Sequence, residues 1–220
     1  MDGDAGDRSG DRPRPPVALV TGGARGVGAE VVRALAARGS AVAIHCHASL
    51  REARALAEEL VAAGIPALAV TANLREEGAV RALVHRVADH FGRIDAVVSC
   101  ARLRLAGRFE ELTGAELAGH YEVNVIGPFV VAQEAAAVML AQESGGVILA
   151  VADGGEPRPD ELAYAASQGA IPALMQSLDA ECRSRHPRVR AGCVRVPDPP
   201  PPPAALAATL LSRIDELRNG

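Results

Sequence analysis

Gly22, Gly26 and Gly28 have a spacing that can bind phosphate. They lie in the segment T-G-G-A-R-G-V-G at residues 21–28, after an apolar run at 17–20 and before a run of helical character. Glycine lets the backbone approach a phosphate closely, and the unpaired N–H groups and positive dipole end of a helix attract its charge. The segment therefore predicts a cradle for the pyrophosphate of a dinucleotide, and a plain tight turn between strand and helix is the alternative.

Short apolar runs alternate with segments of helical periodicity along most of the chain. The runs that we interpret as strands are residues 17–20, 41–44, 67–70, 94–98, 147–151 and 189–196. Continuous apolar strands separated by helices indicate a parallel sheet that is covered on both faces. The sequence therefore predicts an α/β fold with a doubly wound parallel sheet, a Rossmann fold, whose cleft lies at the carboxyl ends of the strands.

Composition divides the chain into three segments. Residues 1–16 are mostly Gly, Asp, Arg and Pro, which predicts a disordered tail because such a segment buries little apolar surface. Residues 17–197 form the predicted dinucleotide-binding domain. Residues 198–220 contain a proline-rich spacer and one short helical stretch at 204–218, so the C-terminal substrate region is expected to be truncated.

Several classes of partner and site are excluded by composition. The net charge is −4, and no basic patch with interleaved aromatic residues is present, so nucleic acid is not an expected partner. The N-terminal segment contains no apolar stretch that predicts a signal peptide or a membrane span, and no membrane partner is expected. His45 and His47 lack a third metal ligand, so no metal site is expected. The four cysteines are scattered, which favours buried reduced thiols and a cytoplasmic protein.

The pattern T-G-x-x-x-G-x-G between a strand and a helix resembles the short-chain dehydrogenase/reductase family, and the similarity continues from about Val17 to Pro197. The resemblance implies a nicotinamide dinucleotide cofactor. The second predicted strand ends in H-C-H-A-S, without the acidic residue that binds a free ribose 2′-hydroxyl, and Arg25 can pair with a 2′-phosphate. NADP(H) is therefore expected rather than NAD(H). The implied cofactor contacts are Gly22, Arg25, Gly26, Val27, Gly28, His45, Ser49, Asn73, Ala101, Tyr164 and Gln168.

The same resemblance implies four catalytic positions. Tyr164 matches the acid/base tyrosine of the family, and Asn124 matches the asparagine that supports a proton-relay water. Asp153, or Ala152 if the register shifts by one, occupies the place of the serine that hydrogen-bonds a substrate carbonyl. Gln168 replaces the lysine that follows the tyrosine by four residues, on the same face of a helix.

The missing lysine determines the expected direction of the chemistry. All 23 basic side chains are Arg, so the chain contains no ammonium group of a lysine. A phenol has a pKa of about 10, and without a nearby cation it is a poor base. A protonated phenol still donates to the alkoxide that forms when a carbonyl is reduced. Any activity is therefore expected to be reductive.

Other departures from the family pattern surround this site. Arg102 replaces a glycine at the edge of the predicted nicotinamide pocket, where it would block the pocket or recognise an anionic substrate. With Arg104 and Arg108 it could also form a solvated basic face. Pro172 lies four residues after Gln168 and is expected to kink the helix there.

Two functions remain open at this stage. One is an NADP(H)-dependent reductase with slow or unusual chemistry on a small-molecule carbonyl or imine. The other is a non-catalytic family member that binds a dinucleotide as a structural subunit. The predicted long helices 116–142 and 161–185 are rich in Ala, Val and Leu, which favours a homo-oligomer or a heteromer with an active paralogue.

Overall fold

The sheet of this protein is parallel and six-stranded, as the sequence predicts. The structure is a computed structural model that describes residues 14–220, so most of the predicted tail at 1–16 lies outside it. The strand order is β3-β2-β1-β4-β5-β6, which is the order of doubly wound dinucleotide-binding folds. The strands are β1 (Val17–Thr21), β2 (Ala41–Cys46), β3 (Ala67–Thr71), β4 (Ala96–Ser99), β5 (Gly146–Asp153) and β6 (Val189–Val196). The predicted Rossmann fold is confirmed.

Residues 14–220 contain seven α-helices, six of which cover the two faces of the sheet. They are α1 (Gly26–Ala37), α2 (Leu50–Ala62), α3 (Glu77–Phe91), α4 (Gly114–Tyr121), α5 (Gly127–Leu140), α6 (Leu162–Arg185) and α7 (Pro203–Asn219). Helices α1, α2 and α7 pack on one face, and α3, α5 and α6 pack on the other. Adjacent residues of β1 serve both layers, because Leu19 packs on the α5 side and Val20 on the α1 side.

Helix α7 is an integral part of the α1 layer. Leu206, Leu210, Ile214 and Leu217 recur at helical spacing, and all four are buried against the layer that α1 and the sheet form. The spacer that precedes α7 brings residues 197–203 across the carboxyl ends of β5 and β6, because several of its prolines line the cavity there. The segment after β6 therefore contributes to the wall of the cleft.

The helix predicted at 116–142 is interrupted by a π-helical turn. This turn spans Glu122–Ile126 and joins α4 to α5. Residues 114–140 are together long and apolar enough to cross a membrane by length and composition. The α5 part packs into the core beside α3, which accounts for this apolar character. A π-turn inside a helix frequently marks a functional site, and this one contains Asn124.

Helix α6 continues through Pro172 from Leu162 to Arg185. The helix that carries Tyr164 and Gln168 is therefore unbroken at the proline. Both side chains are buried and face the carboxyl end of β5.

Candidate active site

The turn between β1 and α1 depends on glycine at specific positions. Gly26 has a φ of +54°, in the left-handed region, and a Cβ there would enter open space in front of the helix. A Cβ at Gly28 would instead collide with the carbonyl oxygen of Gly22. The turn is therefore closed on itself and leaves free space at the N-terminus of α1, which fits the cradle that a pyrophosphate requires.

His45 stabilises this turn by hydrogen bonds to the backbone. Its Nε2 lies 3.1 Å from the carbonyl oxygen of Ala72, which only accepts, so Nε2 carries the proton. Its Nδ1 then accepts from the backbone N–H of Gly22 at 3.4 Å. Burial is the largest cause that lowers the pKa of His45 to about 4, so the ring is neutral. Both ring nitrogens therefore serve the protein scaffold, and His45 borders the cofactor cleft without a charge.

One cavity of about 470 Å³ lies beside the glycine turn. Six of the predicted cofactor contacts line it, namely Gly22, Arg25, His45, Ser49, Asn73 and Ala101. No carboxylate lies within 4.0 Å of the Arg25 guanidinium among residues 14–220, so this cation is available to a ligand. The Asn73 amide already bonds Glu76 at 2.8 Å and accepts from the backbone N–H of Arg75 at 3.2 Å.

A second cavity of about 820 Å³ opens at the carboxyl ends of β5 and β6. Val27, Asp153, Tyr164 and Gln168 all line it. Arg102 lines both cavities, so the two adjoin at this side chain, which is 45% exposed. Most of the predicted dinucleotide and catalytic residues therefore line two adjoining cavities, whereas Gly26, Gly28 and Asn124 line neither.

Tyr164 is held as a hydrogen-bond donor. Its hydroxyl donates to Oδ2 of Asp153 at 2.7 Å, and only 2% of the residue is exposed. Burial, followed by the Asp153 hydrogen bond, raises the pKa of Tyr164 to about 12, and the charges of Arg102 and Arg104 oppose this shift. The phenol is therefore protonated throughout the neutral pH range.

Gln168 is tied to the end of β5. Its Oε1 accepts from the backbone N–H of Asp153 at 2.9 Å. Its Nε2 makes no hydrogen bond to any residue from 14 to 220, although the side chain lines the larger cavity. This N–H₂ group remains able to donate to a ribose hydroxyl.

Asn124 connects the segment after β4 to helix α6. Its Oδ1 accepts from the N–H of Leu103 at 2.6 Å, and its Nδ2 donates to the Leu103 carbonyl and to Ser167 Oγ at 2.9 and 2.8 Å. The residue is 1% exposed and borders neither cavity. In this structure its hydrogen-bonding groups position the backbone at Leu103.

The sequence reasoning missed an ion-pair cluster at the mouth of the larger cavity. Arg104 donates from Nε and Nη2 to the carboxylate of Glu161, at 3.0 and 2.8 Å, and its guanidinium carbon lies 4.9 Å from the centre of the Tyr164 ring. Arg158 likewise pairs with Asp198, at 2.7 and 2.6 Å, and joins the loop after β5 to the proline segment. These partners lie 57 and 40 residues apart, so no local sequence signal pairs them.

Comparison with known proteins identifies relatives along most of the chain. Residues 16–197 match the family model for short chain dehydrogenase. Versicolorin reductase 1 of Dothistroma septosporum is 31% identical over 175 residues, which cover 80% of this chain and 66% of that protein. A hydroxynaphthalene reductase of Aspergillus fumigatus is 35% identical, over 75% of this chain and 60% of that protein. This chain spans about two thirds of the length of the curated relatives it matches.

Solved structures agree with this relationship. A metagenomic short-chain oxidoreductase in complex with NADP is 29% identical and superposes with a TM-score of 0.83 over 90% of each chain. A blue fluorescent protein from a metagenomic library, in complex with NADPH, is 33% identical with a TM-score of 0.74, over 82% of this chain and 73% of the other. With its strand order, its glycine turn and Tyr164 at the cleft, this chain belongs to the short-chain dehydrogenase/reductase family.

Proposed function

We propose that this protein is an NADP(H)-dependent reductase of small molecules that contain a C=O or C=N bond. The observation that carries the proposal is the position of Tyr164. Its protonated hydroxyl lies in the cavity that adjoins, at Arg102, the cavity beside the glycine turn. The curated relatives are named as reductases, and two of the similar structures contain NADP or NADPH, which supports the same function.

The preference for NADP(H) rests on the charge around the smaller cavity. Arg25 offers a guanidinium without a carboxylate partner in the described chain, and Ser49 adds a hydroxyl at the same cavity. No acidic side chain lines this cavity. A 2′-phosphate would therefore gain charge-assisted hydrogen bonds, whereas a free 2′-hydroxyl would lack an acidic acceptor.

The glycine turn, Gln168 and Tyr164 would each have a separate role in the reduction. Reduced nicotinamide supplies a hydride when the cofactor is bound. The glycine turn and the N-terminus of α1 would hold its pyrophosphate, and Gln168 Nε2 would donate to a ribose hydroxyl. Tyr164 would turn its O–H from Asp153 to the substrate and release the proton to the oxygen or nitrogen that becomes negative. Its raised pKa keeps the phenol protonated at neutral pH, so a proton is available for reduction and little tyrosinate is present to remove a proton from an alcohol.

The proposal includes the cellular location of the protein. The four cysteines of the described chain, Cys46, Cys100, Cys182 and Cys193, are all free. Free thiols are typical of proteins kept in a reducing compartment, so we place the protein in the cytoplasm.

Turnover with NADPH tests the proposal. Purified protein is mixed with NADPH and with a panel of hydroxylated polycyclic ketones and cyclic imines, and the loss of NADPH is followed. Tyr164→Phe should lower kcat by about a hundredfold or more, because it removes the proton donor. Tyr121→Phe is the matched control, because the Tyr121 hydroxyl donates a hydrogen bond to the Ala166 carbonyl on α6 at 3.4 Å and Tyr121 lines neither cavity.

The direction of the reaction provides a second readout. Oxidation of the corresponding alcohols should be slow at neutral pH. As long as the pH is below the pKa of Tyr164, the oxidation rate should increase about tenfold for each unit by which the pH is raised, because only tyrosinate accepts the proton. Failure of every substrate to consume NADPH, or full activity of Tyr164→Phe, would contradict the proposal and favour a non-catalytic role.

A further inference from the structure

A cation faces Tyr164 from a segment that the sequence pattern did not connect with catalysis. Arg104 follows β4, and its guanidinium carbon lies 4.9 Å from the centre of the Tyr164 ring. This distance is within the range of a cation–π contact. The same guanidinium approaches Oδ2 of Asp153, the atom that accepts the Tyr164 proton, to 3.7 Å.

Glu161 fixes the orientation of this cation. Both of its carboxylate oxygens accept from Arg104, and Glu161 immediately precedes α6, the helix that carries Tyr164. A bidentate pair of this kind restricts a planar guanidinium in rotation as well as in position. Arg104 is therefore anchored to the element whose tyrosine it faces.

Arg102 also lowers the pKa of Tyr164 by its charge, and more strongly than Arg104 does, but it makes no contact with the ring face. It reaches Asp153 only at 4.0 Å, and 45% of its side chain is exposed, so its position is less fixed than that of Arg104. The Arg158 guanidinium forms an ion pair with the Asp198 carboxylate. Eight charged residues in the part of the chain that the structure describes line the larger cavity with Tyr164, namely Asp153, Glu156, Glu161, Asp198, Arg102, Arg104, Arg158 and Arg195. Of these, Asp153, Arg102 and Arg104 shift the pKa of Tyr164. Among the cations of residues 14–220, Arg104 is the one that lies within cation–π distance of the ring.

We infer that Arg104 is a positioning residue that supplies, from the opposite side of the cleft, the positive charge that the family places at position 168. The inference rests on the proposed role of Tyr164 as the proton donor. When Tyr164 releases its proton, the negative charge spreads over the ring, and a guanidinium at the ring face stabilises that charge. Gln168 supplies no charge, and its side-chain oxygen accepts a hydrogen bond from the backbone N–H of Asp153.

A spectroscopic titration tests this role without cofactor or turnover. The chain contains two tyrosines and no tryptophan, so in a Tyr121→Phe background the near-ultraviolet absorbance of tyrosinate reports Tyr164 alone. Asp153→Asn is added because the carboxylate raises the Tyr164 pKa, and its removal brings the titration into an accessible range. Arg104→Gln should then raise the pKa of Tyr164 by about one unit or more, because an opposite charge at this distance is lost.

Three further variants separate charge from structure. Arg104→Lys should restore most of the shift. Glu161→Gln should raise the pKa of Tyr164 by less than Arg104→Gln, because Arg104 keeps its charge but loses the bidentate pair that orients it, whereas a purely structural pair would give equal shifts in both variants. Arg108→Gln should have no effect, because Arg108 lies on the same segment but pairs only at 3.7 and 4.0 Å with Glu110 and Glu111 and borders no part of the cleft.

An unchanged Tyr164 pKa in Arg104→Gln, or the same shift in Arg108→Gln, would overturn the inference. In the chain with native Asp153, Arg104→Gln should also lower kcat for reduction by about tenfold, with partial recovery in Arg104→Lys. The titration keeps its meaning if no substrate is turned over, so a failure of this inference is distinguishable from a failure of the proposed function.

Discussion

Asp153 and Gln168 together determine the electrostatic environment of the Tyr164 phenol. Asp153 accepts the phenol proton, and Gln168 holds the backbone of Asp153 in place. An ionised carboxylate at this position opposes tyrosinate, and a neutral amide provides no compensating charge. The pair therefore keeps the phenol protonated, which leaves it as a weak proton donor and leaves little tyrosinate to remove a proton from an alcohol.

Restoration of the family residues at both positions should make Tyr164 a better acid and base. In the double variant Gln168→Lys with Asp153→Ser, a cation replaces the amide and the opposing carboxylate is removed. We expect the Tyr164 pKa to fall and kcat for reduction to rise roughly tenfold for each unit that the pKa falls. Steady-state rates with NADPH measure the effect.

Gln168→Lys alone is the informative control for that pair. The new ammonium would lie near Asp153 and be neutralised by it, so the single variant should gain less than the double variant. A double variant with no gain in rate would support the non-catalytic alternative.

The sequence predicted which residues come together at the end of β5, but it did not predict the hydrogen bonds and ion pairs between them. Tyr164, Asp153 and Gln168 meet in one cavity, as their positions along the fold predict. Their contacts with a cofactor stay predictions. The Arg104–Glu161 pair could not be predicted, because it depends on how the irregular segment after β4 folds back on α6. Asn124 was expected beside a relay water, and in the structure it bonds Leu103 and Ser167.

Among the elements, the turn from β1 to α1 is the most sensitive to a small substitution. Gly28→Ala would place a methyl group against the Gly22 carbonyl and force the turn open. We expect NADPH binding to be lost, and the free energy of unfolding to fall by roughly 1–3 kcal/mol, because the backbone of a packed turn must shift. Calorimetric binding and denaturant unfolding measure the two effects.

Gly78→Ala provides the matched control for this substitution. Gly78 lies in the first turn of α3, and a Cβ there meets nothing within 4 Å. The variant should bind NADPH normally and gain up to about 1 kcal/mol in stability, because alanine favours a helix over glycine. Equal binding by both alanine variants would contradict the proposed cradle.

The helices and strands could be predicted from the sequence because their apolar patterns depend on neighbouring residues in the chain. Strands buried on both faces must be apolar throughout, so all six were predicted close to their observed bounds. The π-turn at Glu122–Ile126 was not predicted, because one inserted residue leaves the apolar pattern of the flanking helices almost unchanged. The packing of α7 beside α1 depends on tertiary contacts that no local pattern contains.

For the molecule as a whole, self-association stays a prediction. Ile126 at the end of the π-turn and Phe129 in α5 are 48% and 39% exposed, within one of the two helices that the sequence suggested as an interface. We expect size measurement by light scattering to show an oligomer in solution. Phe129→Glu should shift it toward the monomer, because a charge would be buried in the apolar contact.

Val61→Glu is the control for the oligomer. Val61 is 56% exposed on α2, which covers the opposite face of the sheet, so this charge should leave the size unchanged. A strictly monomeric native chain, or an equal response to both variants, would contradict an interface at α5.

Calorimetric titration of the purified protein with NADPH and with NADH tests whether the glycine turn and Arg25 bind the cofactor. We expect one site per chain, with NADPH bound about tenfold to a hundredfold more tightly than NADH because of charge-assisted bonds from Arg25. Arg25→Gln should remove most of that difference, while Arg54→Gln, on the exposed side of α2, should retain it. Absence of binding heat for both nucleotides, or equal affinities in the native chain, would contradict the account.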